Sequence, residues 1–202
     1  MLVEVERSVY NGRMKSDEQP YDSLPPRERI LVAAHALFYG EGIRATGVDK
    51  IIDQSSVSKV TFYRQYASKD DLIRAYLDYR HEKWISWFQS SLAQATSDGF
   101  SAADALVGTL RAWFNSPDFR GCAFLNAAAE LGSTDPEILV VVRQHKQEMS
   151  SVLDSLFGHD SVSAGNKLSL VIDGAIVHAQ MGQPVDEVMG HFKASVEGIL
   201  SR

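Results

Sequence analysis

At 202 residues, 45% hydrophobic and 23% charged, the chain is long enough to bury a substantial core and too even in composition for a disordered or fibrous protein. No apolar run approaches the roughly 18 to 20 residues that span a bilayer. The stretch through Pro26 has neither the apolar centre nor the cleavage site of a secretory signal, and a single Cys122 cannot close an internal disulfide, so a cytoplasmic protein is expected. The net charge of −6 excludes indiscriminate coating of nucleic acid, but it is unevenly spread: Pro25–Ala75 carries eight Lys/Arg against six Asp/Glu, leaving the acidic excess to the remainder.

In chain order, residues 1–24 show weak periodicity and are expected to form a mobile arm, with Tyr21–Pro26 as its linker. From Pro26 onward the patterning is helical and no stretch alternates as a strand would. A first helix runs from Pro26, a favoured first-turn proline, to Gly40, with Ile30, Leu31, Ala34, Leu37 and Phe38 on one stripe. Thr46 is expected to cap a short second helix, with Asp49 reaching back across its first turn. Ser55–Ser56–Val57 breaks the chain, and Ser58 caps a third short helix ending at Tyr66. Ser68, followed by Asp71, opens a long fourth helix to about Ala95 carrying Ile73, Leu77, Trp84, Trp87 and Phe88.

Ser97–Asp98–Gly99 separates a fifth helix bearing Leu106, Val107, Leu110, Trp113 and Phe114. A small-residue helix over Gly121–Leu131 follows, then one from Pro136 with Ile138, Val142, His145, Met149 and Val152 on one face. The last two carry stripes through Leu168, Val171, Ile172, Ala175 and Ile176, and through Val185, Val188, Met189, Phe192 and Val196. The expected fold is all-α, about nine helices, with a three-helix N-terminal unit over 25–70 and a helical unit over 71–202.

Two short helices around a three-residue break form a helix-turn-helix candidate. The second must fit a major groove about 12 Å wide, offering polar side chains at its start and a greasy back to its neighbours. Val57, Phe62 and Tyr66 supply that back, leaving Lys59, Thr61, Tyr63, Arg64 and Gln65 for DNA. Structural alternatives stand beside these roles: Tyr63 packing on its own helix, Arg64 paired with a surface acid, Lys59 simply solvated.

The run Ala45–Leu77, above all Val57–Ser58–Lys59, Thr61, Tyr63–Arg64 and Ser68–Lys69 before an acidic pair and Leu72, resembles the DNA-binding domain of the TetR/AcrR family of regulators. The preceding Ala-rich helix with Phe38 and Gly40–Glu41–Gly42 fits the same pattern; the later helices agree in number and length. Four positions depart: Ser56 and Val60 stand where Gly is common, Gln65 for His and Ala67 for Pro. The resemblance implies that Thr46 and Lys69 hold phosphates beside helix N-terminal amides, that Ser58, Lys59, Thr61 and Tyr63 mix phosphate and base contacts, and that Val60, Arg64 and Gln65 lie where bases or flanking backbone are met.

It further implies double-stranded operator DNA, a small-molecule effector and a homodimer as partners, with no cofactor and no membrane. Val171, Gly174, Ala175, Val188 and Phe192 on the last two helices are the expected dimer contacts, the alternative being that they complete the monomer core. Trp84, Trp87, Phe88, Leu110, Trp113 and Phe124, with polar Asn126 and His145, are the expected lining of a pocket for an apolar or aromatic effector, against the alternative of ordinary core. His145 has no second His or Cys at ligand spacing and reads as a hydrogen-bonded histidine, not a metal ligand. Cys122 reads as a small buried residue, with a redox switch as its alternative. No H-E-x-x-H, G-x-S-x-G or phosphate-cradling glycine loop supports an enzyme. A ligand-responsive regulator, released from a palindromic operator by its effector and acting as a repressor, is the expectation; the alternative is a helical protein-binding adaptor with a vestigial helix-turn-helix.

Overall fold

The computed structural model describes residues 21–158 and 164–201. Among them are nine α-helices and no strand: α1 (Pro26–Glu41), α2 (Val48–Ser55), α3 (Lys59–Gln65), α4 (Lys69–Ser97), α5 (Ala102–Phe114), α6 (Ala123–Leu131), α7 (Pro136–Phe157), α8 (Ala164–Gln180) and α9 (Val185–Leu200). The arm expected over 1–24 lies outside the described residues through residue 20. Its last residues are docked: Tyr21–Ser23 form a 3-10 turn, Leu24 is buried, and the Tyr21 hydroxyl reaches the carbonyls of Arg29 (3.1 Å) and Gln54 (3.3 Å).

Local chemistry sets most boundaries. Pro26 opens α1, where its missing N–H costs nothing. Ser58 Oγ accepts the Thr61 amide at 3.1 Å and Ser68 Oγ the Asp71 amide at 3.0 Å, so both serines cap as their spacing predicts. Thr46 does not. The residue before α2 is Gly47, and the buried Thr46 hydroxyl instead donates to the Gly42 carbonyl at 2.8 Å, closing the turn after α1. Asp49 likewise does not reach back; it faces Lys59 at 3.4 Å.

Helices α1, α2 and α3 pack together as a small head, and α1 also packs on the first turns of α4. The remaining body stacks α7 on α8 and α8 on α9, with α5 against α4 and α9, and α6 against α7. Helix α4, 29 residues and so about 43 Å long, belongs to both. Its Leu72, Ile73, Tyr76 and Leu77 are buried towards the head end, and its Trp84, Trp87 and Phe88 in the body.

Head and body are also joined by polar contacts. Tyr39 on α1 donates to the Gly121 carbonyl at 2.9 Å and accepts the Arg120 amide at 3.0 Å. Gly121 has φ +80°, a left-handed conformation that glycine enters most easily, and the Gln180 side chain lies directly against it. Glu130 on α6 accepts the Arg44 amide at 2.8 Å, the Arg44 guanidinium reaches Thr134 at 3.2 Å, and Arg74 on α4 meets Glu137 at 2.9 Å and Asp135 at 3.6 Å. At the centre of the joint, buried Arg80 lies over the Tyr39 ring at 4.2 Å and contacts His35 Nε2 at 3.3 Å. Because a guanidinium only donates, that nitrogen of His35 holds a lone pair and the proton sits on Nδ1.

Candidate nucleic-acid interface

Helix α3 is held by its back. Phe62 is its one buried residue, with Tyr66 buried just beyond its end and half-buried Val57 before it. Fixing that face outward-orients the opposite one: Val60 is 70% and Tyr63 46% exposed, and Lys59 and Arg64 are also exposed. Positions 59, 60, 63 and 64 lie on one helix face, so two cations, a phenol and a small apolar side chain form a single surface. Such a surface offers phosphate contacts, a hydrogen-bonding ring and contact for a thymine methyl.

Ser58 and Thr61 hydroxyls sit 2.9 Å apart, with Ser58 occupied as the cap. The Tyr63 ring meets Phe62 edge-on at 5.2 Å while remaining solvent-facing, and Lys59 approaches exposed Asp49 at 3.4 Å, a surface pair of little energetic weight. Gln65 is half-buried, and its carbonyl takes a hydrogen bond from Arg27 at 2.5 Å. Before α3, Ser56 takes φ 51° and ψ 44°, the left-handed conformation that a glycine enters more easily.

Two expected phosphate holders are placed otherwise. Thr46 is fully buried with its hydroxyl on Gly42, so its side chain does not reach the surface. The Lys69 ammonium donates to the Ile43 carbonyl at 2.6 Å and lies 5.8 Å above the Phe38 ring; partial burial lowers its pKa. Both side chains tie α1 to its neighbours. What sequence reasoning missed is the Arg44 anchor to Glu130, made across 86 residues and carrying no local signal.

In the body, Trp84, Trp87, Phe88, Leu110, Trp113, Phe124 and His145 come together as expected, but as packed core: all are buried. Trp84 stacks on Phe88 with centroids 4.7 Å apart, Trp113 meets Trp84 at 5.5 Å, and His145 lies flat on Phe124 at 3.6 Å and 8°. Large rings from four helices fill this space on one another, as interiors at crystal-like density do. Asn126 is not among them. It bonds the Arg120 carbonyl (3.0 Å) and Gln180 (3.2 Å) in a 300 Å³ cleft between α1, α6 and the end of α8. A second cleft, of 340 Å³, runs between α4 and α7 and is lined by Leu92, Glu148, Val152 and Leu156 among others.

His145 has its hydrogen-bond partner in His81, Nδ1 to Nδ1 at 3.1 Å, and His81 Nε2 in turn meets Glu148 at 3.0 Å. Burial first, then the nearby Lys146, His81 and Arg80, hold the His145 pKa well below the ordinary histidine value. His81 was not singled out by sequence, although its spacing from Leu77 and Trp84 places it on their stripe. Cys122 is buried, 3.7 Å from the Lys146 ammonium, which pairs with Asp173 at 2.5 Å.

On α8 and α9, Ala175, Val188 and Phe192 are buried inside the single chain and Val171 is half-buried, so the first three complete the monomer's own core. Gly174 is exposed, with nothing within 4 Å of a Cβ built on it. Along α8 and the turn that follows it, Leu170 (74%), Val177 and Met181 (63%) are exposed apolar side chains.

Residues 30–76 match the family described as bacterial regulatory proteins, tetR family. Over 171 residues the chain is 22% identical to the HTH-type transcriptional activator FasR of Mycolicibacterium smegmatis, covering 85% of this chain and 75% of that protein. A TetR-family transcriptional regulator from Streptomyces coelicolor superposes with a TM-score of 0.72 at 34% identity, covering 87% of this chain and 94% of the other. At 16% identity and a TM-score of 0.68, the multidrug binding protein EbrR, solved with malachite green, shares the fold over 86% of this chain and 96% of its own.

Proposed function

The chain belongs to the TetR family of transcriptional regulators, and from that footing we propose that it is a cytoplasmic homodimeric repressor, binding a palindromic operator and released by a small apolar or aromatic effector. A regulator of this family is not an enzyme, and no described helix is long and apolar enough to cross a membrane. The observation that carries the reading is the α3 surface. A seven-residue helix pinned by Phe62 presents Lys59, Val60, Tyr63 and Arg64 together, on the positively balanced part of an acidic chain.

A palindrome requires two such helices related by a two-fold axis. In this reading a second copy packs on Leu170, Gly174 and Val177 of α8 and Met181 just after it, together with the exposed small residues Gly190, Ala194 and Gly198 of α9. Exposed apolar side chains beside glycines allow close helix approach, whereas Val188 and Phe192 are already used. Leu170→Glu with Met181→Glu is expected to give a folded monomer in sedimentation at micromolar concentration and to weaken operator binding at least tenfold. A dimer persisting with native affinity places the interface elsewhere.

The release step follows from the joint. The aromatic core sits on the same continuous helix, α4, whose first turns pack on α1, so a rearrangement among those rings changes the set of the head. Effector and operator then disfavour each other reciprocally. The test is footprinting on DNA upstream of the protein's own gene across a range of salt. A protected palindrome whose affinity falls steeply with salt is expected; salt-insensitive or non-localised binding there and in a genome-wide selection removes the reading. Deleting the gene is expected to raise expression from that operator; a fall makes the chain an activator, as FasR is described to be.

A further inference from the structure

We propose that Arg27 and Arg29, in the first turn of α1, bind the two sugar-phosphate strands that border the major groove, one at each end of α3; this rests on the DNA-binding reading of α3 above. Both lie before residues 30–76, the stretch that matches the family. The Arg27 guanidinium donates to the Gln65 carbonyl at 2.5 Å, where α3 closes, and lies over the Tyr66 ring at 4.3 Å. The Arg29 guanidinium reaches the Ser56 carbonyl at 3.4 Å, in the turn that leads into α3. One turn of α1 thus sets a cation at either end of the helix that faces the DNA.

The separation of the two suits that ligand. With seven residues α3 is about 10 Å long, close to the roughly 12 Å width of a major groove. A helix of that length in the groove brings each of its ends towards one of the bordering strands. The C-terminal end is the one a phosphate would avoid, because its last carbonyls carry the negative pole of the helix dipole. Arg27 takes the Gln65 carbonyl there and, with Arg64 in the last turn, makes that end positive.

The charge of the two guanidiniums is not neutralised within the protein. Lys50, Lys59 and Arg74 each meet a carboxylate. Arg27 and Arg29 bond backbone carbonyls instead and form no ion pair among the described residues, although Glu28 stands between them. Arg27 is exposed and Arg29 half-buried. A guanidinium has more N–H donors than one carbonyl uses, and the rest suit the oxygens of a phosphate. Their base is fixed before DNA arrives: the Tyr21 hydroxyl ties the Arg29 carbonyl to that of Gln54 at the end of α2, and Leu24 is buried. Groups already held in place lose less freedom on binding.

The test measures affinity of the full-length protein for the footprinted operator and for an unrelated duplex over a range of salt. Wild type is compared with Arg27→Gln plus Arg29→Gln, whose amides still donate to the carbonyls but carry no charge, and with Arg27→Lys plus Arg29→Lys. In the dimer proposed above both arginines act in each half-site, and every phosphate contact adds about 0.9 to the slope of log affinity against log salt. The glutamine pair is therefore expected to flatten that slope by about three to four and to lose about a hundredfold or more in affinity at about 0.1 M salt. A comparable loss is expected on the unrelated duplex, because phosphate contacts read no sequence. The lysine pair is expected to keep the slope to within about one. If the glutamine pair melts far below wild type, either single glutamine variant decides, with an expected flattening of about two. Wild-type affinity and slope in the glutamine variants overturn the proposal. So does a loss confined to the operator with the slope unchanged, which makes the arginines supports of α3 alone. Wild-type protein without salt-dependent operator binding removes the α3 reading and the proposal together.

Discussion

Replacing Lys59 and Tyr63 together by alanine is expected to lower operator affinity about a hundredfold or more while moving the melting temperature by no more than a degree or two. Both side chains point away from the core and neither supports it. Tyr63 is largely solvent-facing, and the Lys59–Asp49 pair is exposed on both sides, so its loss leaves no buried charge. In the dimer proposed above the same residues act twice, once per half-site. A side chain reading a base is worth about 1 to 3 kcal/mol, and each lysine on a phosphate contributes about 0.9 to the salt slope. Two half-sites therefore exceed the 2.7 kcal/mol that a hundredfold change represents. Removing Lys59 alone is expected to flatten the slope of log affinity against log salt by about two. Quantitative footprinting at several salt concentrations, with thermal melts on the same samples, checks both numbers. A double variant that binds the operator as wild type does would take α3 out of the DNA contact.

The second large effect is loss of stability in mild acid, arising from His35. Burial, and then the positive Arg80 beside it, lower its pKa from the ordinary 6.5 to about 3. The geometry explains the direction: Nε2 accepts from Arg80, and protonating it replaces a hydrogen bond with two cations facing each other. The unfolded chain takes up this proton below pH 6.5, whereas the folded chain does so only near pH 3. Stability is thus full above 6.5 and falls as the pH drops through that window, by up to about 1.4 kcal/mol per pH unit.

His145, shifted in the same direction, adds to the slope. By pH 5 the loss from His35 alone approaches about 2 kcal/mol, a large share of a typical total of 5 to 15. Urea unfolding at pH 7.5, 6 and 5 is expected to show this fall. His35→Gln, whose amide oxygen can still accept from Arg80, is expected to show a curve shallower by about 2 kcal/mol over that range. Parallel curves for the two proteins would assign the acid sensitivity to other groups.

How much of this was legible in the sequence depended on the range of the interaction involved. Ser58 and Ser68 cap their helices because the groups they bond lie three residues away, and short-range spacing carries that information. The break at Ser55–Ser56–Val57 and the greasy back of α3 were visible for the same reason. Thr46 has the composition of a cap, but its hydroxyl donates to the Gly42 carbonyl four residues before it, a choice between two nearby partners that spacing alone does not make. Lys69 likewise gave its ammonium to a carbonyl supplied from 26 residues away.

The dimer expectation shows a different limit. Hydrophobic periodicity marks the face of a helix that is buried best, and on α9 that face belongs to the monomer: Val188 and Phe192 lie in its interior. The outward stripe of Leu170, Val177 and Met181 becomes apparent only when the inward one has been accounted for. For the expected effector region, the clustering of aromatic residues was evident in their spacing. That they close on one another, and that Asn126 falls in a separate cleft, depends on how α4, α5, α6 and α7 are set in space.

What the sequence by itself determined is therefore the all-helical plan, the helix-turn-helix and its outward residues, because period, caps and breakers act within a few residues along the chain. The tertiary structure alone decided which hydroxyls and ammonium groups remain available to a ligand, and it alone brought His81 to His145 across 64 residues and Arg44 to Glu130 across 86. Those contacts are made between helices, where the partner of each polar group is fixed by packing direction and not by its neighbours in sequence.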